Sequence, residues 1–402
     1  MIMLALALSA PVAYSQASET PAPSPQPQKA EQQQAAAAQA ATGDAQTKPL
    51  QNDPLMHFGK LDNGLSYIIR PTTEPKGRAS LRLYVDTGSL NESPETKGIS
   101  HFLEHMVFNG SRHFKRGELI PAMQQLGLGF GGDANAYTGL LQTVFMFDLP
   151  NLKDETVDFA FTALRDFADG AELSQEAIDH ERGIVISELK SRDSEAYRAS
   201  KSFIAQLCNG TRVPDYMPIG LEEVIRNCPA DTIRQYYRDN YVPERMTVVV
   251  TGDFEPAAAE AWVKKYFSSM EKKANPPRPA IGTPVDLGPG EKIIPNPESA
   301  KSSIMLTVVN PWEARPDTIE QRIKDLPLQL ACNMLNLRFS ELAKKSDSPF
   351  EAAGVSEDEL FRSARIFGLS IQAEPEKWQQ ALSAAEAELR RAQKREEKRR
   401  RR

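Results

Sequence analysis

Cysteine is scarce in this sequence, which has three among 402 residues. Three cysteines are too few for a disulfide framework, which excludes a fold that depends on several disulfide bonds. In an oxidising compartment Cys208 and Cys228 could pair, which would leave Cys332 as a free and buried thiol. The three are not spaced as metal ligands, and we assign them no catalytic role.

Long apolar runs and an excess of positive charge are also missing. No apolar run reaches the ~20 residues that a helix needs to span a bilayer, so we expect no transmembrane segment. Asp and Glu number 54 against 48 Lys and Arg, and the net charge of −6 argues against nucleic acid as the partner. With 40% hydrophobic and 25% charged residues, the composition is that of a globular protein long enough for two domains.

The first residues have the pattern of a targeting segment. A short apolar core, M-I-M-L-A-L-A-L, is followed by small residues around Ala13, Tyr14 and Ser15 that suit cleavage, although no positively charged stretch precedes it. We therefore predict a signal peptide over residues 1–15 and a periplasmic or secreted protein. Residues 16–52 are rich in Gln, Ala and Pro, which predicts a flexible segment that contributes no chemistry.

Histidine is scarce as well, yet two of the five histidines lie in one pentapeptide, His101-Phe102-Leu103-Glu104-His105. Residues three and four apart share a face of an α-helix, so both imidazoles and the carboxylate of Glu104 should point into one small volume. The pattern H-x-x-E-H is the inverted form of the H-E-x-x-H zinc-peptidase signature. It predicts a zinc site with a base beside it.

The alternative is a surface helix whose histidines are four apart by coincidence. The flanking residues argue against it, because they are apolar at helical spacing and predict that the helix is packed in a core. A packed helix cannot carry two histidines and a glutamate on one side without partners, and a metal ion is the simplest partner. The apolar flanking residues are Ile99, Phe102, Leu103, Met106 and Val107.

The chemistry of zinc hydrolysis needs these residue types. Neutral imidazole nitrogens bind Zn²⁺, and a catalytic zinc keeps three protein ligands and one open position. We expect one Zn²⁺ per chain, held by His101, His105 and a third ligand from elsewhere in the sequence. Glu104 would act as the general base, taking a proton from water and delivering it to the leaving amine.

From about residue 61 to residue 371, and most strongly over 98–188, the sequence resembles the pitrilysin/insulinase family of zinc peptidases. In that family the third zinc ligand is a glutamate on a later helix, which the segment S-Q-E-A-I-D-H-E-R-G-I-V-I-S-E-L-K-S-R-D matches. The resemblance implies that Glu188 is the third ligand and that Glu181 supports the site without binding metal. Without the resemblance, both would be interpreted as solvated glutamates of an amphipathic helix. We interpret the neighbouring His180 as a surface histidine.

A second matching block is F-G-G-D-A-N-A-Y-T-G-L-L-Q-T-V-F-M-F-D-L-P. Its two glycines mark a turn, and the β-rich run from Thr143 to Pro150 predicts a strand. The resemblance implies that one stretch of this block lies on a sheet edge beside the metal, where a peptide substrate adds as an extra strand. The alternative is an ordinary hairpin, and spacing alone does not separate the two. The implied substrate-binding residues are Asn135, Ala136, Tyr137 and Thr138.

The order of elements predicts an α+β fold, with a mainly antiparallel sheet covered by helices. Strands are expected at 64–69, 81–85 and 246–250, and helices at 152–169, 174–192, 229–240 and 256–269, with Ser174 as an N-cap. These elements make up a predicted catalytic domain over residues 53–274. A Pro/Gly-rich linker follows at 275–290.

Residues 291–402 repeat this plan without the metal residues, with a strand at 302–309, a helix at 317–343, a strand at 365–373 and a final helix. The resemblance implies a homologous, non-catalytic and incomplete second domain, in a protein whose two halves close around substrate as a clamshell. A C-terminal half or a second subunit would then complete the site. The last thirteen residues include nine basic ones, which suit a solvated helix tail or a nucleic-acid arm. We favour a truncated or frame-shifted product, an N-terminal fragment.

These features predict a zinc endopeptidase that cleaves peptides or unfolded protein segments. The competing hypothesis is a non-catalytic subunit that keeps the fold and binds peptide without cleaving it. The intact H-x-x-E-H motif favours the enzyme, whereas the short second domain keeps the binding subunit open as the alternative.

Overall fold

The structure is a computed structural model that describes residues 48–285, 288, 290–294 and 299–400, with residues 393–400 described by their backbone alone. The predicted signal peptide and most of the Gln/Ala/Pro-rich segment lie outside the described residues. Within the described ranges, no helix combines the length and the apolar character needed to cross a bilayer.

The larger of two sheets has six strands in the order β1-β2-β6-β3-β5-β4. All neighbours are antiparallel except β2 and β6, which run parallel. Alternate residues of the central strand β3 are buried, as expected of a sheet with one face on the core. The strands are β1 (His57–Lys60), β2 (Ser66–Pro71), β3 (Ala79–Val85), β4 (Ala134–Thr138), β5 (Thr143–Leu149) and β6 (Met246–Gly252).

Eight helices accompany this sheet in the described part of the chain. Helix α3 buries Phe161, Leu164 and Phe167 at helical spacing, and Phe167 packs against Phe145 of β5 with ring centroids 5.2 Å apart. The helices are α1 (Ile99–Met106), α2 (Leu119–Gln125), α3 (Asp154–Asp169), α4 (Gln175–Arg192), α5 (Glu195–Leu207), α6 (Glu222–Asn227), α7 (Ala230–Asn240) and α8 (Pro256–Phe267).

A second, three-stranded antiparallel sheet lies within the predicted second domain, in the order β7-β9-β8. Two helices pack on it and share a separate apolar core that includes Phe339, Leu369 and Ile371. The elements are β7 (Ser302–Pro311), α9 (Ile319–Ala343), β8 (Ala352–Leu360), β9 (Ala364–Ala373) and α10 (Trp378–Arg400).

The predicted α+β class is confirmed, and each predicted helix and strand is present within a few residues of its expected bounds. The hydroxyl of Ser174 accepts a hydrogen bond from the backbone N–H of Ala177, so the predicted N-cap of α4 is also confirmed. The sequence did not predict β1, β8, α2, α5 or α6. Strand β8, A-A-G-V-S-E-D-E-L, is acidic and has a single β-branched residue, so it carries little strand signal.

The cysteines correct one expectation. All three are free thiols, so the pairing considered for Cys208 and Cys228 does not form. The physical reason is that the two are buried in different apolar clusters: Cys208 belongs to the cluster that includes Val213, and Cys228 to the main core, which includes Ile225. Cys332 is free as expected, but it is only partly buried on α9.

Candidate metal centre

The N-terminus of α1 is held by the buried carboxylate of Glu92. This carboxylate accepts hydrogen bonds from the backbone N–H groups of Gly98 and Ser100, each at 2.8 Å, and so satisfies two donors that a helix start leaves unpaired. Burial raises the pKa of Glu92 to about 8, although the two hydrogen bonds oppose that change. Gly98 has a φ of +99°, and a β-carbon there would lie 2.8 Å from the Cα of Gly220. The start of the motif helix is therefore fixed in position.

The H-x-x-E-H residues lie on α1 as expected, with their side chains in the interior. His101 and Glu104 are each 1% exposed, and the rings of His101 and His105 meet edge to face with centroids 4.9 Å apart. The apolar residues of the motif region lie on the opposite side of the helix and pack in the main core. This burial excludes the alternative of a solvated surface helix.

Helix α4 brings Glu188 to the two histidines. Its Oε2 atom lies 3.1 Å from Nε2 of His105 and 3.7 Å from Nε2 of His101. One ligand atom from each of the three residues lies within 4.8 Å of the others, which is a spacing that one metal ion can bridge. The second oxygen of Glu188 forms an ion pair with Arg192, one turn further along α4.

Glu181 lies behind His105, away from the point where the three residues meet. Its Oε1 atom is 2.9 Å from Nδ1 of His105, and its Oε2 atom accepts a hydrogen bond from Asn109. A carboxylate on Nδ1 fixes the orientation of the ring and leaves Nε2 directed at Glu188. His180, next to Glu181, is exposed as predicted.

Several buried polar atoms of the motif lack a hydrogen-bond partner among the described residues. They are both ring nitrogens of His101, Nε2 of His105 and Oε1 of Glu104. An unpaired buried polar group destabilises the fold by about 1–3 kcal/mol, so four of them in one place indicate a site built for a ligand. Two imidazole nitrogens and a carboxylate are donors that suit zinc, and the residues present therefore fit such an ion.

The three motif side chains differ in how their surroundings shift their pKa values. Burial, together with the charge of His105, lowers the pKa of His101 to about 3, so its ring is neutral at pH 7. Burial also raises the pKa of Glu104 to about 7, although the hydrogen bond from Thr138 opposes this. For His105 burial acts to lower the pKa, but the carboxylates of Glu181 and Glu188 outweigh it and raise the pKa to about 9.

Strand β4 forms one edge of the large sheet and pairs with β5 on one side only. Asn135, Ala136 and Tyr137 lie along this edge, and the side-chain oxygen of Asn135 accepts a hydrogen bond from the backbone N–H of Ala136. The hydroxyl of Thr138 points inward and donates a 2.6 Å hydrogen bond to Oε2 of Glu104. The strand therefore contacts the motif helix through its last residue.

Three residues of this site were not predicted from the sequence: Glu92, Asn109 and Arg192. The contact of Arg192 could have been predicted, because Arg192 follows Glu188 by four residues on one helix. Oppositely charged residues at this spacing commonly interact. Glu92 and Asn109 had no comparable signal, since their partners come from the folded arrangement of loops and helices.

Fold and site together define a pitrilysin-like α+β unit with a candidate metal centre beside a sheet edge. The chain belongs to the insulinase family of peptidases, family M16. The model of that family, Insulinase (Peptidase family M16), matches residues 67–213, and the model of the Peptidase M16 inactive domain matches residues 227–398. The candidate metal residues all fall within the first match.

Relatives of this chain carry the names of zinc proteases. It is 30% identical over 319 residues to a zinc protease PQQL-like of Arabidopsis thaliana, covering 78% of this chain and 33% of that protein. It is 33% identical over 221 residues to a probable zinc protease PqqL of Escherichia coli, covering 55% of this chain and 24% of that protein. The chain thus spans about a third or less of the length of these relatives.

Solved structures show the same fold. The first half of the periplasmic protease PqqL from Escherichia coli superposes with a TM-score of 0.75 at 25% identity, over 85% of this chain and 73% of that one. Pitrilysin superposes with a TM-score of 0.67 at 16% identity, over 88% of this chain and 38% of that one.

Proposed function

We propose that this protein is a zinc-dependent endopeptidase that hydrolyses peptides or unfolded protein segments. The observation that carries the proposal is the convergence of His101, His105 and Glu188 around buried imidazole nitrogens that have no hydrogen-bond partner among the described residues. Membership of a family whose relatives are named zinc proteases supports the same activity.

In this proposal His101, His105 and Glu188 hold one Zn²⁺, and Glu181 orients His105 from behind. Bound zinc supplies Lewis-acid chemistry, since it polarises a carbonyl group and makes a water molecule more acidic. The neutral ring of His101 is already in the form that binds a metal.

Glu104 is proposed as the general base. Its Oε2 atom is held by Thr138, whereas Oε1 has no hydrogen-bond partner in the described ranges and is available to accept a proton. The same carboxyl group can then deliver that proton to the amine that leaves.

The substrate is proposed to bind along β4. A peptide in extended form would add to the free edge of this strand beside Asn135, Ala136 and Tyr137. Main-chain hydrogen bonds dominate this mode of recognition, which suits a peptidase that accepts varied side chains. The proposal is supported by the contact between Thr138 of the same strand and Glu104, since it brings the edge next to the base.

The test is metal analysis and peptide cleavage on the purified chain. We expect about one zinc per chain, weak cleavage of a quenched peptide by this chain alone, loss of cleavage on chelation and recovery when zinc is added back. His101→Ala should lose both zinc and cleavage, whereas the matched control His180→Ala, an exposed histidine, should retain both.

Three other outcomes would each bear on the proposal. Zinc bound without any cleavage would favour the alternative, a non-catalytic peptide-binding subunit. In another outcome, cleavage is weak and rises strongly when a C-terminal half of a relative is added, with zinc content unchanged. This result would support a clamshell in which a C-terminal half encloses the substrate from the other side. Absence of zinc from the wild-type chain would contradict the proposal itself.

We also propose a periplasmic location. It is supported by the signal-peptide pattern of residues 1–15 and by a structural relative described as a periplasmic protease. Mass spectrometry of protein recovered from a periplasmic extract should show an N-terminus near Gln16. Recovery of the intact N-terminus from the cytoplasm would contradict this.

A further inference from the structure

The family resemblance implied that Thr138 contacts substrate, but its side chain is turned into the protein. It is fully buried at the end of β4, where the strand register pairs it with Thr143 of β5. Its hydroxyl donates to Oε2 of Glu104 across 2.6 Å, and Glu104 is itself 1% exposed. A hydrogen bond to a carboxylate in such a buried place is stronger than an ordinary one.

The two carboxylate oxygens of Glu104 differ in their hydrogen bonding. Oε2 accepts from Thr138, whereas Oε1 has no hydrogen-bond partner in the described part of the chain. The terminal torsion of a glutamate side chain is broad and roughly two-fold, so nothing in its own geometry selects one orientation of the carboxylate. A fixed donor on one oxygen does select it, and it leaves the other oxygen available.

We propose that Thr138 is a positioning residue, which holds the carboxylate of Glu104 in the orientation that a general base requires. The inference rests on the proposed peptidase function and deepens it. A general base has to bring one oxygen within about 2.6–3.2 Å of the proton that it takes, and a small misplacement lowers the rate steeply. Because Thr138 ends the proposed substrate strand, one rigid element would place both the peptide and the base.

The test compares two substitutions at this position. Thr138→Val keeps the shape but removes the hydroxyl, and Thr138→Ser keeps the hydroxyl but removes the methyl group. We expect Thr138→Val to lower kcat about 10- to 100-fold, the usual effect of losing a supporting hydrogen bond, with KM and zinc content near their wild-type values. Thr138→Ser should recover most of the turnover.

A matched control is Thr156→Val, which removes another buried threonine hydroxyl at the start of α3, bonded to Asn151 at 3.0 Å. This control should lower the melting temperature without changing kcat. A general loss of stability would affect both valine variants alike, so the control separates stability from positioning.

A second measurement does not depend on activity. In metal-free protein, Thr138→Val should lower the melting temperature in the wild-type background and much less when Glu104 is already alanine, because the partner is then absent. Equal shifts in both backgrounds would overturn the inference, as would wild-type turnover in Thr138→Val or an equal loss in Thr138→Ser. If the wild-type chain cleaves no peptide, the proposed function fails, and the melting experiment still tests whether the hydroxyl holds Glu104.

Discussion

Replacing Glu104 with glutamine is expected to abolish peptide cleavage while the zinc content stays at the wild-type level. Glutamine has nearly the same shape, but its amide cannot accept a proton from water or return one to the leaving amine. His101, His105 and Glu188 are unchanged in this variant, so the metal should still bind. General acid–base catalysis contributes about 10²- to 10⁴-fold, and kcat/KM should fall by at least that much.

The measurement is kcat/KM on a quenched peptide, with zinc determined by mass spectrometry on the same sample. Glu176→Gln is a matched control, because Glu176 is an exposed glutamate in the first turn of α4 and should leave both quantities unchanged. Turnover of Glu104→Gln at the wild-type rate would show that Glu104 is not the base. Loss of zinc together with activity would show instead that Glu104 helps to bind metal.

The local part of this site follows from the sequence. Helical periodicity places His101, Glu104 and His105 on one face, and the apolar residues between them indicate that the helix is buried. Both features depend only on neighbours within two turns. The structure shows the same arrangement, with His101 and Glu104 each 1% exposed.

The long-range part does not follow from local pattern. His105 and Glu181 are 76 residues apart in sequence, and Glu104 and Thr138 are 34 apart. Glutamates on an amphipathic helix are common, so only resemblance to a family distinguished Glu181 and Glu188 from solvated ones. The inward direction of Thr138 depends on the order of strands in the sheet, which no spacing in the sequence reveals.

Secondary structure was hardest to predict in segments that lack periodic apolar residues. Strand β8 is acidic and is held in place by pairing with β9, so tertiary contacts rather than propensity determine it. The disulfide bond considered between Cys208 and Cys228 does not form, for a related reason. The spacing of the two cysteines in the sequence does not reveal that they are buried in two separate apolar clusters.

Replacing Glu188 with glutamine is expected to weaken zinc binding far more than the same change at Glu181. Glu188 presents Oε2 to Nε2 of both histidines, and a neutral amide is a poor replacement for a metal-binding carboxylate. Glu181 reaches His105 at Nδ1 rather than at Nε2, and glutamine at this position retains an oxygen that can accept from Nδ1. Loss of such a supporting partner lowers metal affinity by about 10- to 100-fold.

The measurement is competition for zinc with a chromophoric chelator, which yields the dissociation constant of each variant. The order expected from the geometry is wild type tightest, then Glu181→Gln, then Glu188→Gln. The reverse order would place Glu181 on the metal and would require His105 to turn its other nitrogen toward the ion. Since Asn109 also holds Glu181, and Arg192 holds the far oxygen of Glu188, each carboxylate is already fixed on its own side of the ring. The difference between the two variants therefore tests which nitrogen of His105 faces the metal.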